Sequence, residues 1–324
     1  MNIIVFGAGA IGSLYAAKLS ARHDVTVVAR PAHVQAINES GLRLTGLERA
    51  TRRVVAVIAI NSIPRDTLVL LTTKVNDNGA AARAMASLVL PDTTILCIQN
   101  GLGGEEIVKQ ATVHPPDIGR RAARAFPLVL RAVTQFGAIF LEPGVIDYKV
   151  AGYTLIERTP AAAGAPEAGP TISERIAALF SACSLDGRVS ENIKIEVWRK
   201  LIFNCVINPL TSIMGAEVGA IADVRLDSIK RLVIDECLTV ARADGVTFDA
   251  DSGAFIETIA AVFGPSRNVA SMRQDLLKAK ATEIDFMNGA VVTLGRRLGI
   301  DCPVNAALVA IIKAMEARGR FVVP

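Results

Sequence analysis

A short apolar run, Asn2–Phe6, ends in Gly7-Ala8-Gly9-Ala10-Ile11-Gly12, and the pattern that follows, Leu14, Tyr15, Ala17, Lys18 and Leu19, is helical. Each glycine of this G-x-G-x-x-G spacing meets a separate need. The first permits the tight turn out of a strand, the second lets backbone approach a pyrophosphate, and the third lets helix and strand pack closely. The helix start then offers unpaired N–H groups and the positive end of its dipole to an anion. Without the strand before it and the helix after it, the spacing would specify only a glycine-rich turn. In this context it predicts a parallel α/β sheet that holds a dinucleotide.

Strands and helices alternate through the first hundred residues. Residues 24–29 and 54–59 read as strands, as do Thr67–Leu71 and 94–98, with an Ala-rich helix over 79–88. Such alternation predicts a sheet wound on both faces. The second strand discriminates between cofactors. An NAD site places an acid about 20 residues after the glycines, on the ribose 2′-hydroxyl. Here Val25-Thr26-Val27-Val28-Ala29 runs into Arg30 instead. A guanidinium suits a 2′-phosphate through bidentate contacts, so Arg30 favours NADPH/NADP+; its other reading is a solvated residue at a strand end. Two more strands run into Thr72-Thr73-Lys74 and Gln99-Asn100-Gly101. Ligands of open α/β sheets bind beyond the carboxyl ends of the strands, which puts Lys74 and Asn100 on the rim that carries Gly7.

From Arg131 the texture changes. Residues 132–141 and 145–156 read as paired strands around Glu142-Pro143-Gly144, 159–170 as an Ala/Pro/Gly loop, and 171–182 as a helix. After about Glu191 helices follow one another, with breaks near 215–222, 243–253, 264–268 and 299–303. The expected organisation is an α/β Rossmann-type domain over 1–190 and an all-α domain over 191–324.

The helical half opens on Val-Trp-Arg-Lys-Leu-Ile-Phe-Asn-Cys-Val-Ile-Asn-Pro-Leu, residues 197–210, where Lys200, Asn204 and Asn208 recur every fourth position. In a helix that spacing stacks them on one slowly drifting face. Their neighbours are apolar almost all round, which predicts a buried helix. Burying an amide without a partner costs about 1–3 kcal/mol and an ammonium several. The column is therefore either a satisfied core network or the wall of a site. Further on, Ser271-Met272-Arg273-Gln274 reads as a capping box opening a long helix, with Ser271 as its N-cap. Glu283 lies among large apolar residues; a surface carboxylate is the plain reading of it. Trp198 is expected in the core.

Bulk properties exclude several classes. The 324 residues carry a net charge of +4, and the cluster Arg120, Arg121 and Arg124 is not interleaved with aromatics, so no nucleic-acid surface is expected. The five cysteines form no C-x-x-C, and His23, His33 and His114 lie at no ligand spacing from them. No metal site is expected, and reduced thiols in a cytoplasmic protein are. No basic n-region or apolar stretch of about 18 residues appears, so no signal peptide or membrane span is expected.

Together these residues resemble the ketopantoate reductase (2-dehydropantoate 2-reductase) family over essentially the whole chain. The resemblance rests on the glycine motif, Thr73-Lys74, Gln99-Asn100-Gly101-Leu102-Gly103, Trp198-Arg199-Lys200 through Asn204 to Asn208-Pro209-Leu210-Thr211, and Ser271-Met272 with Thr282-Glu283-Ile284-Asp285. It implies a Rossmann-type domain, a helical domain like that of 6-phosphogluconate dehydrogenase, and a site in the cleft between them. It implies NADPH-dependent reduction of a small 2-oxo acid, 2-dehydropantoate, to (R)-pantoate in pantothenate biosynthesis, by a monomer or homodimer. Lys200 matches the general acid. Asn100, Lys200, Asn204, Asn208 and Ser271 match groups that hold the 2-oxo acid. Glu283 matches an acid that supports catalysis and holds the cofactor. Gly7, Ala8, Gly9, Ala10, Ile11, Gly12, Arg30, Lys74, Asn100 and Ala138 match dinucleotide contacts. Partial burial would lower the Lys200 pKa toward working pH, and a carboxylate such as Glu283 would oppose that.

The chain departs from the family pattern at three places. Val218 stands where a further amide is usual, ten residues after Asn208; Phe136 replaces a common histidine; and the connection 113–130 is long. Val218 keeps open a reductase for another 2-oxo acid. A dinucleotide-binding sensor without turnover is the third alternative, although it gives no reason to keep Lys200, Glu283 and both amides.

Overall fold

The computed structural model describes residues 1–112, 126–160 and 169–321. The arginines at 120, 121 and 124, His114, most of the 113–130 connection and the centre of the 159–170 stretch lie outside the described residues. The chain divides into two compact units, one of Met1–Gln99 with Gly103–Ile193 and one of Asn100–Leu102 with Lys194–Pro324.

In the first unit the chain runs β1 (Asn2–Phe6), α1 (Ala10–Leu19), β2 (Val25–Val28), α2 (Pro31–Ser40), β3 (Leu42–Gly46), β4 (Ala50–Arg52), β5 (Val55–Val57), β6 (Thr67–Leu71), α3 (Asn78–Met85), β7 (Thr94–Cys97) and α4 (Gly104–Thr112). It continues through β8 (Leu128–Thr134), β9 (Gly137–Glu142), β10 (Val145–Val150), β11 (Thr154–Glu157), α5 (Ile172–Ala182) and β12 (Gly187–Ser190). An eight-stranded sheet has the order β12-β11-β8-β7-β6-β1-β2-β5. Its strands from β5 to β8 are parallel, and β11 joins β8 antiparallel. The centre is covered on both faces, so β6 (TLVLL) and β7 (TILC) are buried at every position. Because β2 lies on one side of β1 and β6 on the other, the loop after β1 opens at the point where strand order reverses.

A second sheet, β4-β3-β10-β9, packs over α1. This explains why α1 is buried from Gly12 to Leu19 rather than along one stripe. Tyr15, fully buried there, donates its hydroxyl proton to Thr134 Oγ1 at 3.0 Å and bonds Thr154 Oγ1 at 2.5 Å, and burial pushes its phenol up to about 12.

One expectation needs correction here. The single strand pair over 132–141 and 145–156 is four strands in two sheets: β9 pairs with β10 in the small sheet, and β8 with β11 in the large one. The chain changes sheet at Gln135-Phe136 and returns through Gly152, where an added Cβ would lie 2.6 Å from the Gln135 carbonyl carbon. A run of β-branched residues does not reveal where its register is handed from one partner to another. The small sheet also uses β3 and β4, and in β3 buried Leu42 and Leu44 alternate with exposed Arg43, the period-2 pattern of a half-buried strand.

The second unit is helical: α6 (Ile193–Met214), α7 (Asp227–Ala243), α8 (Ser252–Phe263), α9 (Ser271–Leu277), α10 (Asn288–Arg297) and α11 (Pro303–Phe321). Its core joins Trp198, Leu201, Ile202 and Cys205 of α6 to Val233 and Val240 of α7, Ile259 of α8, Val291 of α10 and Ile312 of α11. Trp198 is fully buried, its indole N–H donating to Asp244 Oδ2 at 3.0 Å. All five cysteines are free and buried. Among the described residues no helix is long and apolar enough to cross a membrane.

Candidate active site

On the α/β unit, the loop after β1 is shaped by its glycines. Gly7 has φ +101°, and a Cβ there would lie 2.5 Å from the Thr73 backbone nitrogen. At Gly12 a Cβ would lie 2.3 Å from Thr72 Oγ1 and 2.6 Å from the Gly7 carbonyl oxygen. Thr72 Oγ1 in turn donates to that carbonyl at 2.8 Å, tying the loop to the end of β6. Gly9 differs: a Cβ there would meet nothing within 4 Å. It is the N-cap of α1 and supplies no side-chain bond to the helix. The first N–H groups of a helix have no partner inside it. Open space above Gly9 and an uncapped helix start at Ala10 and Ile11 therefore fit a dinucleotide's pyrophosphate. Ala8 N–H, by contrast, is spent on the Val28 carbonyl at 3.2 Å.

Around that loop, Arg30 follows β2 as the exposed N-cap of α2, ahead of Pro31. Lys74 follows β6, half-buried, at the start of a short 3-10 turn. Beneath this rim lies a polar network that the sequence did not announce. Thr73 Oγ1 donates to Asn78 Oδ1 at 2.8 Å, Gln99 Nε2 to Asn78 Oδ1 at 3.0 Å and to the Leu71 carbonyl at 2.9 Å. Arg131 Nη2 donates to the Gln99 carbonyl at 2.7 Å, and Nη1 pairs with Glu105 at 3.2 Å. These bonds tie the segments after β6 and β7 to α3, α4 and β8, and so help fix where β6 and β7 end. Ala138 lies on β9 of the small sheet, opposite Tyr148, and not on the strand ends.

In the helical unit, Lys200, Asn204 and Asn208 fall on α6, with Lys200 and Asn204 half-buried and Asn208 5% exposed. Ser271 is not the N-cap expected of it. Ala270 holds that position, the helix has seven residues, and no side chain caps it. Freed from capping, Ser271 Oγ donates to Asn208 Oδ1 at 3.4 Å, joining residues 63 apart in sequence. Asn208 Nδ2 reaches the soft sulfur of Met287, at 3.7 Å. Glu283, half-buried, precedes the 3-10 turn Ile284–Phe286. Its neighbour Thr282 is fixed by Glu316, whose Oε1 accepts from the Thr282 hydroxyl at 2.6 Å and N–H at 2.8 Å. Burial pushes the Glu316 carboxyl up, but the two Thr282 bonds and the Lys313 ammonium outweigh it and hold the group below its ordinary value.

Asn100 belongs with this unit rather than with the strand it follows. Leu102 N–H donates to the Phe286 carbonyl at 3.1 Å, and Gly101, at φ +79°, passes so close that a Cβ would lie 2.1 Å from that oxygen. The Asn100 and Glu283 segments are thus neighbours. Val218 is buried in the helical core, its N–H on the Asn268 carbonyl at 2.8 Å. Among the described residues no group of three or more His, Cys, Asp or Glu is placed to hold a metal.

Comparison with known proteins agrees in sequence and in fold. Residues 3–161 match the family model described as ketopantoate reductase PanE/ApbA, and residues 192–316 its C-terminal model. A 2-dehydropantoate 2-reductase of Pyrococcus horikoshii is 33% identical over 98% of this chain and 99% of its own. A PanE/ApbA family ketopantoate reductase of Ralstonia eutropha superposes with a TM-score of 0.83 at 30% identity, over 99% of this chain and all of the other. D-mandelate dehydrogenase in complex with NADH and anilino(oxo)acetate shares the fold at a TM-score of 0.85 and 24% identity, over 99% of this chain and all of its own.

Proposed function

Because the chain belongs to the ketopantoate reductase family, we propose that it reduces 2-dehydropantoate to (R)-pantoate with NADPH. A nicotinamide cofactor follows from the family; the phosphate-bearing form is our reading of Arg30. The observation that carries the substrate side is the Ser271–Asn208 contact, which puts a hydroxyl and a buried amide at the end of the column that begins at Lys200.

A nicotinamide cofactor, when bound, would supply the hydride. Ala10 and Ile11 would offer backbone N–H groups to the pyrophosphate, Arg30 would pair with the 2′-phosphate, and Lys74, Asn100, Ala138 and Glu283 would be the further groups that hold the cofactor. Lys200 gives its proton to the alkoxide oxygen that develops as the ketone is reduced, and its charge stabilises that oxygen beforehand. Asn204 and Asn208 hold the 2-oxo acid by its oxygens, and the Ser271 hydroxyl turns its one proton from Asn208 Oδ1 to the acid's carboxylate. A general acid of this kind accelerates a reaction by roughly 10²–10⁴.

The test is a panel of 2-oxo acids followed by NADPH absorbance, with wild type beside Lys200→Ala. Turnover of 2-dehydropantoate that falls by roughly 10²–10⁴ in Lys200→Ala, with NADPH binding kept, is expected. NADPH oxidation with other 2-oxo acids but not with this one would instead favour the reading that buried Val218 raises, a reductase for a different 2-oxo acid. Tight NADPH binding without turnover of any acid would leave a sensor.

A further inference from the structure

Pro209 lies inside α6 and has no N–H to give the Cys205 carbonyl one turn back. That carbonyl is not orphaned, because Asn288 Nδ2 donates to it at 2.9 Å. The same nitrogen donates to Asn305 Oδ1 at 2.9 Å, and Asn305 Nδ2 donates to Glu236 Oε2 at 2.7 Å. Glu236 also accepts the backbone N–H groups of Val304 and Asn305 in the first turn of α11, at 2.8 and 2.9 Å.

The direction of this relay is fixed at both ends. A carboxylate only accepts, so Asn305 presents its nitrogen to Glu236 and its oxygen to Asn288. Asn288 then faces two acceptors, Asn305 Oδ1 and the Cys205 carbonyl, and must turn its nitrogen to both. Among the described residues its own oxygen has no hydrogen-bond partner, although Asn288 is fully buried. An unpartnered buried oxygen is a cost of about 1–3 kcal/mol. The residue tolerates that cost while supplying the one donor that α6 lacks.

The two residues at the start of α10 therefore grip α6 on either side of its weakened turn. Met287 touches the Asn208 amide and Asn288 holds the Cys205 carbonyl. Asn208 itself precedes the proline, whose ring disfavours helical backbone at that position. We propose that Asn288 is a positioning residue for the 2-oxo acid site, supplying the hydrogen bond that Pro209 withholds and so fixing the turn that presents the Asn208 amide. This rests on the proposed reduction with Asn208 as a substrate contact.

A double-mutant cycle in the full-length protein tests it, read by KM for 2-dehydropantoate, KM for NADPH, kcat and melting midpoint. Asn288→Ala is expected to raise the oxo-acid KM by roughly tenfold. The KM for NADPH should stay within about twofold, the scatter of independent sites. Pro209→Ala restores a backbone N–H opposite Cys205, so in that background Asn288→Ala should shift the oxo-acid KM by less than about threefold. Equal effects in both backgrounds overturn the proposal. If Asn288→Ala alone does not fold, a folded double variant with near-normal oxo-acid KM supports it, and a double variant that also fails to fold overturns it. Asn208→Ala separates the two readings. A raised oxo-acid KM there beside an uncoupled cycle removes only the role of Asn288, whereas an unchanged KM removes the substrate role of Asn208 and this inference with it.

Discussion

The two candidate surfaces are made of different material. On the α/β unit the loop after β1 is backbone: positive φ at Gly7, close approach at Gly12, open space at Gly9, and the uncapped start of α1. On the helical unit the column along α6 is side chains, and the groups that complete it arrive from far along the chain. Ser271 comes from 63 residues away, and Asn288 from 83 residues beyond Cys205. A backbone-built site is specified by spacing within a few residues, so it is local and intolerant of any added atom. A side-chain-built site is specified by packing, so single members can be trimmed at a graded cost.

That contrast predicts unequal responses. Gly12→Val places atoms where Thr72 Oγ1 and the Gly7 carbonyl already sit, 2.3 and 2.6 Å from the first added carbon. Fluorescence titration should show NADPH affinity falling by roughly 100-fold, and a loss of only a few fold would break the distinction. Arg30→Ala sharpens it, since this is a side chain on a backbone-built rim. NADPH affinity should fall by roughly tenfold or more, as for a lost charged hydrogen bond, with NADH affinity unchanged; equal loss for both would refute the 2′-phosphate role.

The smallest effect concerns His33, a side chain that braces the glycine-loop helix. Its Nδ1 accepts the Gly144 N–H at 2.8 Å, so the ring proton sits on Nε2 and points at Ser13 Oγ, 3.0 Å away on α1. Burial lowers the His33 pKa below its ordinary value. The unfolded chain therefore binds this proton more readily, and the stability contributed is complete above about pH 6.5 and declines as pH falls through the folded value. Melting midpoints should drop from pH 7 to pH 5, and His33→Gln should flatten that slope; an unchanged slope would show that α1 is not held this way.

Legibility in the sequence followed the same division. The glycine loop, the parallel strands and the α6 column rest on short-range periodicity, and each element lies where its pattern puts it. The strand run after Arg131 hid a change of partner, because β-branched residues suit either sheet equally well. Ser271 read as a cap, since a Ser three residues before a Gln has that signature whether or not a long helix follows. Asn288 left half a signal: Pro209 within a helix announces a missing donor at Cys205, but only the folded chain names the side chain that replaces it. The Gln99–Arg131 network left none, as its members come from the ends of β6 and β7 and from α3, α4 and β8.

The proline in α6 also constrains the history open to such a chain. A carbonyl oxygen has two lone pairs, so an asparagine at 288 can bond the Cys205 oxygen even when residue 209 still donates to it. A proline at 209 without that asparagine leaves a buried carbonyl with nothing to meet it. Of the two orders in which the pair can arise, asparagine before proline passes through a well-formed intermediate, and the reverse passes through a damaged one. The same asymmetry makes reversion uneven: the proline is free to leave first, the asparagine is not.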